Sequence, residues 1–358
     1  MKKPEAKQHS RSLLKGMIGG AILFLTGGGI LGMSGDFGRG EPERGLPLKG
    51  DIAPLHDPVM TREGDTYYLF STGNGITVST SKDKINWKRQ GRVFAQPLSW
   101  TSATVPGFKD HYWAPDISFW KGRWHLYYSV SRFGKNHSAI GLATNVTLIS
   151  SRKDYLWKDE GLVIESQQGG DWNAIDPNVI LDEKQTPWLV LGSFWSGIKL
   201  VKLDPATGKP AQPKNLPEKD SPLLSLATRP NTPDIRGAIE APFLFRHGKF
   251  YYLFVSFDFC CRGVNSTYNV RVGRSAKITG PYLDKEGKAM LEGGGTSVIS
   301  GSGRWRGTGH NAVYREKNTD WMIYHAYDAE RNGVSTLCIE KLEWDRQGWP
   351  LVLKAALP

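Results

Sequence analysis

One pattern recurs five times after residue 50: a short X-Pro element, a polar turn, an aromatic strand and a further apolar strand. The copies are HDPVMTREGDTYYLFST (56–72), WAPDISFWKGRWHLYYSV (113–130), IDPNVILDEKQTPWLVLGSF (175–194), EAPFLFRHGKFYYLFVSF (240–257) and HNAVYREKNTDWMIYHAY (310–327). Taking Pro58, Pro115, Pro177, Pro242 and Ala312 as markers, the separations are 57, 62, 65 and 70 residues. A third apolar segment follows in each copy: 76–81, 139–145, 198–204, 270–276 and 336–342. Turn pairs such as Gly64-Asp65, Lys121-Gly122 and His247-Gly248 separate β-rich, aromatic runs, which is hairpin chemistry. Beyond the N-terminal region no long run has helical periodicity. A single β-unit of roughly 60 residues cannot bury both of its faces, so repeated units must pack on one another. The prediction is an all-β fold, a five-bladed β-propeller over 51–358. Solenoid rungs would be shorter, and a β-sandwich would not repeat so regularly.

The N-terminus reads as a targeting segment. Residues 1–15 carry Lys2, Lys3, Lys7, Arg11 and Lys15 against the single acid Glu5, and an apolar, Gly-rich run from Gly16 to Met33 follows. That order is a secretory signal over 1–35. A retained anchor is the alternative, and only then would the protein be membrane-bound, because 18 apolar or Gly residues lie near the lower limit for a span. Residues 36–50, rich in Gly, Pro and charge, read as a linker. The protein is therefore expected to be exported, to the periplasm or beyond.

Of the net charge of +11, the first 35 residues supply +4. The rest is only mildly basic and holds no run of five Lys or Arg, which argues against a nucleic-acid partner. Three Cys cannot staple a chain of this size, so a large core must stabilise it. Cys338 sits in an apolar strand and reads as a buried thiol. Thirteen Trp residues suggest stacking surfaces beyond the needs of a core.

The acids share a register. If the X-Pro elements are the innermost strands, equivalent positions converge on the axis. Asp57 and Asp176 stand just before their markers; Glu240 and His310 stand one residue earlier. Glu240 is thus out of step with the two Asp residues. A strand alternates its side chains, so bringing Glu240 to the same hollow requires a bulge or twist. Three acids inside apolar strands are costly to bury without a purpose. Such a cluster suits glycoside hydrolysis, in which one ionised carboxylate activates water, another donates a proton, and a third raises the donor's proton affinity.

At these residues the chain resembles glycoside hydrolase family 43, specifically its endo-1,5-α-L-arabinanases. The matching pieces are HDP (56–58), YWAPDI (112–117), FGKNHSAIGLATN (133–145), NAIDPN (173–178), GSFWSGI (192–198), IEAP (239–242), CCRGVNSTY (260–268), VGRS (272–275) and GTGHN (307–311), in that order. The resemblance implies a five-bladed propeller that cleaves internal α-1,5 bonds of arabinan with inversion. It implies Asp57 as general base, Glu240 as general acid, and Asp176 as the group that tunes and orients the acid. It implies substrate contacts at Gly134, Asn173, Ala174, Ile175, Ser193, Phe194 and Trp195, and His310 beside an axial calcium ion, with no organic cofactor. Cys260-Cys261 matches a vicinal pair, readable as a disulfide ring or as two free thiols. No appended carbohydrate-binding module is evident, and the Pro-rich insertion 210–235 is expected to rim the cleft. A monomer is expected. The rival readings are an exo-acting α-L-arabinofuranosidase or β-xylosidase on the same fold, and a sugar-binding propeller without catalysis, against which the acid triad argues. The N-terminal segment 48–55 and the C-terminal 349–354 are candidates for a shared, ring-closing blade.

Overall fold

The computed structural model describes residues 45–210 and 223–352. The predicted signal (1–35), most of the predicted linker and part of the 210–235 insertion lie outside the described residues. Five sheets of four or five strands, antiparallel except for one short edge pairing in the first, follow one another along the chain. Each sheet has the X-Pro strand at or next to one edge: Val59–Glu63, His111–Trp120, Asn178–Leu181, Ile239–His247 and Trp305–Glu316. These five strands touch in cyclic order, and the first touches both the second and the last. That closed ring is a five-bladed β-propeller with the X-Pro strands around its axis.

The hairpins follow from the local sequence. Lys121 and Gly122 both have positive φ, 47° and 73°, as a two-residue turn matched to strand twist requires. The aromatic second strands, such as Arg123–Val130 and Phe250–Phe257, lie inside their sheets and are almost wholly buried. The apolar side chains form five clusters, one at each junction between neighbouring blades. Each blade therefore supplies half of two cores, which is why no single repeat is stable by itself. Among the described residues, no helix is long and apolar enough to cross a membrane.

Two expectations change here. Within the described residues, segments 48–55 and 349–352 do not share a blade: Lys49–Gly50 pairs in parallel with Asn86–Arg92 of blade one, whereas Pro350–Val352 pairs with Val334–Trp344 of blade five. The junction is sewn instead by the segment before the first repeat. Leu46 N–H donates to Ile339 O, Leu55 N–H to Ser335 O, and Leu337 N–H to Ile52 O. The predicted linker accordingly ends earlier than residue 50, because Leu46 and Leu48 pack into the apolar cluster between blades five and one. Of the 210–235 insertion, Leu224–Ala227 extends blade three and Asn231 reaches the cleft.

Candidate active site

Five residues in the left-handed region stand before or within the innermost strands. They are Asp57 (φ 53°), Ala114 (46°), Asp176 (57°), Ala241 (52°) and His310 (51°). A non-glycine residue there costs about 1–2 kcal/mol, so the surroundings must enforce it. The enforcement is a ring of hydrogen bonds from blade to blade. Thr72 Oγ1 accepts from Ala114 N–H at 2.9 Å, Ser129 Oγ from Asp176 N–H at 2.9 Å, and Ser256 Oγ from His310 N–H at 2.8 Å. His325 Nδ1 accepts from Asp57 N–H at 3.2 Å. In blade three the corresponding position is Gly192, which has no side chain, and Asp176 Oδ2 accepts from Ala241 N–H at 2.9 Å instead.

This ring corrects the register of the fifth repeat. His310, not Asn311, is the counterpart of Asp57 and Asp176, because Asn311 occupies the Pro position. It also gives the small residues a purpose, since Ala114 and Ala241 leave the axis open where the others project. The required bulge at Glu240 is present as a register shift between Glu240 and Phe243, around left-handed Ala241.

Asp57, Asp176, Glu240 and His310 line one cleft of about 870 Å³ at the axis. His310 Nδ1 lies 3.1 Å from Asp57 Oδ1, and Thr72 Oγ1 donates to Asp57 Oδ2. Burial would push the Asp57 carboxyl up, but the opposing charges and hydrogen bond of His310, with His325 and His56, hold it far below the usual carboxylate range. Glu240 and Asp176 go the other way. Burial raises both, and Asp57 adds like-charge repulsion to each. His310 opposes both shifts, and on Glu240 so do hydrogen bonds from Tyr268 Oη (2.8 Å) and Ser193 Oγ (3.0 Å). The two acids repel each other too, so whichever stays protonated is raised further. One hollow therefore holds a carboxylate kept ionised and a coupled carboxyl pair whose hold on a shared proton is strengthened, the division that acid–base chemistry on one substrate needs.

Burial opposes a charge on His310, but Asp57, Asp176 and Glu240 push its pKa up to about 9. The axis thus attracts positive charge. Calcium takes six to eight oxygens, and among the described residues the acidic and imidazole groups at the axis do not assemble such an oxygen cage. His56, Asp57 and His325 do bring donor atoms within 4.8 Å of one another, but the trio is rich in nitrogen. A largely hydrated cation would suit these residues, with His310 offering one nitrogen once it gives up its proton and the carboxylates supplying opposite charge.

Of the expected substrate residues, Gly134, Asn173, Ile175, Ser193, Phe194 and Trp195 line the cleft. Asn173 Oδ1 is buried without a partner, an acceptor left for a ligand hydroxyl. Ala174 is the exception: it is fully buried in the core between blades two and three, with its N–H on Ser166 Oγ. Exposed Phe133 and Trp195, with Trp113 and Phe259, give the cleft aromatic faces. Cys260 and Cys261 are disulfide-bonded and form part of the wall. Cys338 is a buried thiol. Sequence reasoning missed Thr72, His325 and Tyr268. The first two had a signal, since Thr72, Ser129, Ser256 and His325 each follow their left-handed residue by fifteen positions.

Residues 52–350 match the Glycosyl hydrolases family 43. The extracellular endo-α-(1→5)-L-arabinanase 1 of Bacillus subtilis is 49% identical over 300 residues, covering 83% of this chain and 87% of that protein. The extracellular exo-α-(1→5)-L-arabinofuranosidase of Cellvibrio japonicus is 48% identical over 302 residues, covering 83% and 86%. The solved α-L-arabinanase of Cellvibrio cellulosa in complex with arabinohexaose superposes with a TM-score of 0.78 at 47% identity, over 85% of this chain and 96% of that one. In fold, in motif order and over nearly all of its propeller, the chain belongs to glycosyl hydrolase family 43.

Proposed function

We propose that the protein hydrolyses internal α-1,5-L-arabinofuranosidic bonds of arabinan by a single displacement with inversion. The observation that carries this is the convergence of Asp57 and Glu240 on one aromatic-lined axial cleft, where their surroundings pull the two carboxyls' proton affinities in opposite directions. Asp57, ionised, takes a proton from a water that attacks the anomeric carbon. Glu240, protonated, gives its proton to the leaving oxygen. Asp176, coupled to Glu240 by mutual repulsion, favours one retained proton between the two and fixes the adjacent Ala241 N–H. Inversion needs the two working carboxyl groups roughly 6.5–9.5 Å apart, to admit the water. Phe133, Trp195 and Trp113 offer faces for furanose rings, and Asn173 a hydroxyl partner. A calcium ion on His310 would offset the mutual repulsion of the carboxylates. The protein works outside the cytoplasm after loss of its signal segment, as a monomer.

Purified protein given linear arabinan, with products resolved by size, tests the reading. Arabino-oligosaccharides of several lengths are expected from the first time points. Asp57→Ala and Glu240→Ala should each abolish their release, and substantial activity in either variant would remove its assigned role. The exo reading has a specific observation behind it, the 48% identical exo-acting relative. Free arabinose alone at the earliest times would establish that reading instead.

A further inference from the structure

The Glu240 carboxyl is held from two sides. Ser193, which donates to Oε2, lines the cleft, whereas Tyr268, which donates to Oε1, is 1% exposed and lies behind it. Tyr268 reaches this place through a gap in blade five. A Cβ on Gly309 would stand 2.1 Å from Tyr268 Cδ1 and 2.5 Å from Cε1, so the buried ring would have to shift from its place. Gly309 does not have a left-handed backbone, so turn geometry does not demand glycine there; the ring does. Next to it, a Cβ on Gly307 would stand 2.3 Å from Ser266 Cβ, in the segment that delivers Tyr268. The two glycines of the GTGHN motif therefore make room for the segment ending in Tyr268, just before the motif supplies His310.

We propose that Tyr268 is a positioning residue for Glu240, fixing the back oxygen of the carboxyl so that the front oxygen carries the transferable proton toward the cleft, and that Gly309 is required to admit its ring. This rests on the reading of Glu240 as general acid. The phenol donates to the inner oxygen in either protonation state of Glu240. With Oε1 so occupied, the acidic hydrogen sits on Oε2, where the Ser193 hydroxyl can turn to accept it until the leaving oxygen arrives. A loosely held carboxyl would have to find that orientation anew in each turnover, and mispositioning of about 1 Å can cost roughly a hundredfold.

The test is Tyr268→Phe, which keeps the ring and its packing. Two substrates are compared: linear arabinan, whose leaving sugar needs a proton, and an aryl arabino-oligosaccharide whose phenolate leaves without one. On arabinan kcat should fall roughly 10- to 100-fold with KM within about twofold, while the aryl substrate is cleaved at close to the wild-type rate. Gly309→Ala, confirmed folded by its far-ultraviolet spectrum, should show the same selective loss. Glu240→Gln is the benchmark, and should lose arabinan cleavage but spare the aryl substrate. If Glu240→Gln spares neither, the general-acid reading falls and the positioning role with it. If Glu240→Gln behaves as expected but Tyr268→Phe slows both substrates equally, or neither, the positioning role is overturned and the acid reading stands.

Discussion

Replacing Asp176 separates two effects that this carboxyl exerts at once. Its Oδ2 accepts the buried Ala241 N–H at 2.9 Å, and its charge repels that of Glu240. Asp176→Asn keeps an acceptor and removes the charge; Asp176→Ala removes both. Stranding the Ala241 N–H, in a residue only 2% exposed, costs about 1–3 kcal/mol. Losing a like charge within reach of a buried acid lowers that acid's pKa by about one unit or more, and each unit is roughly 1.4 kcal/mol. Both variants should therefore move the alkaline limb of the pH–rate profile on arabinan to lower pH by about one unit or more. Only Asp176→Ala should lose about 1–3 kcal/mol in urea unfolding relative to Asp176→Asn. The sign of the stability effect follows from linkage. The folded pKa of Asp176 is raised, so the wild type loses stability as pH rises from the ordinary carboxylate range toward that raised value. Asp176→Asn should lack this decline and match or exceed the wild type at neutral pH. An alkaline limb that stays in place in Asp176→Asn would refute the charge coupling. Equal stabilities of the two variants would refute the role of the hydrogen bond.

With calcium chelated, His310, raised to about 9 by its acidic neighbours, stabilises the fold below its unfolded pKa, and this contribution is lost as pH climbs through about 9. His310→Gln should lack that slope, and added calcium should flatten it in the wild type and raise arabinan cleavage at neutral pH; no response of either quantity to chelation would remove the cation. At the sewn junction, Leu337→Ala removes a side chain only 2% exposed from the blade five–one cluster and should cost about 2–5 kcal/mol in denaturant titration, leaving kcat intact in the folded fraction. A cost below about 1 kcal/mol would mean that this cluster does not hold the ring shut.

Blade number, hairpins and the convergence of Asp57, Asp176 and Glu240 were legible because Pro marks a repeated backbone event. Each marker Pro directly follows a strained left-handed residue, and period-2 patterning carries the rest. Where the marker was missing, the reading slipped: blade five has Asn311 in place of Pro, and His310 was set one position out. Ring closure was hidden because its partners are 280 residues apart, as Leu55 and Ser335 are, and backbone hydrogen bonds leave no side-chain signature. Ala174 was carried over with its neighbours, although the non-strand segment that leads into Asn178 turns its side chain from the cleft into the core. Tyr268 was invisible as a contact of Glu240, because nothing in its local sequence announces a bond across 28 residues.

Gly192 explains why this enzyme's third acid stands where it does. A side chain there would run into its own loop, since a Cβ would lie 2.5 Å from Gly197 O. That tight loop swings Ser193 onto Glu240 and Trp195 over the substrate channel, and it leaves the molecule short of one rivet out of five. The missing rivet is an ionisable one, borrowed from the neighbouring strand. Cohesion and reactivity have thereby been welded together in a single residue, so any lineage that abandons the chemistry must also find a new way to fasten blade four.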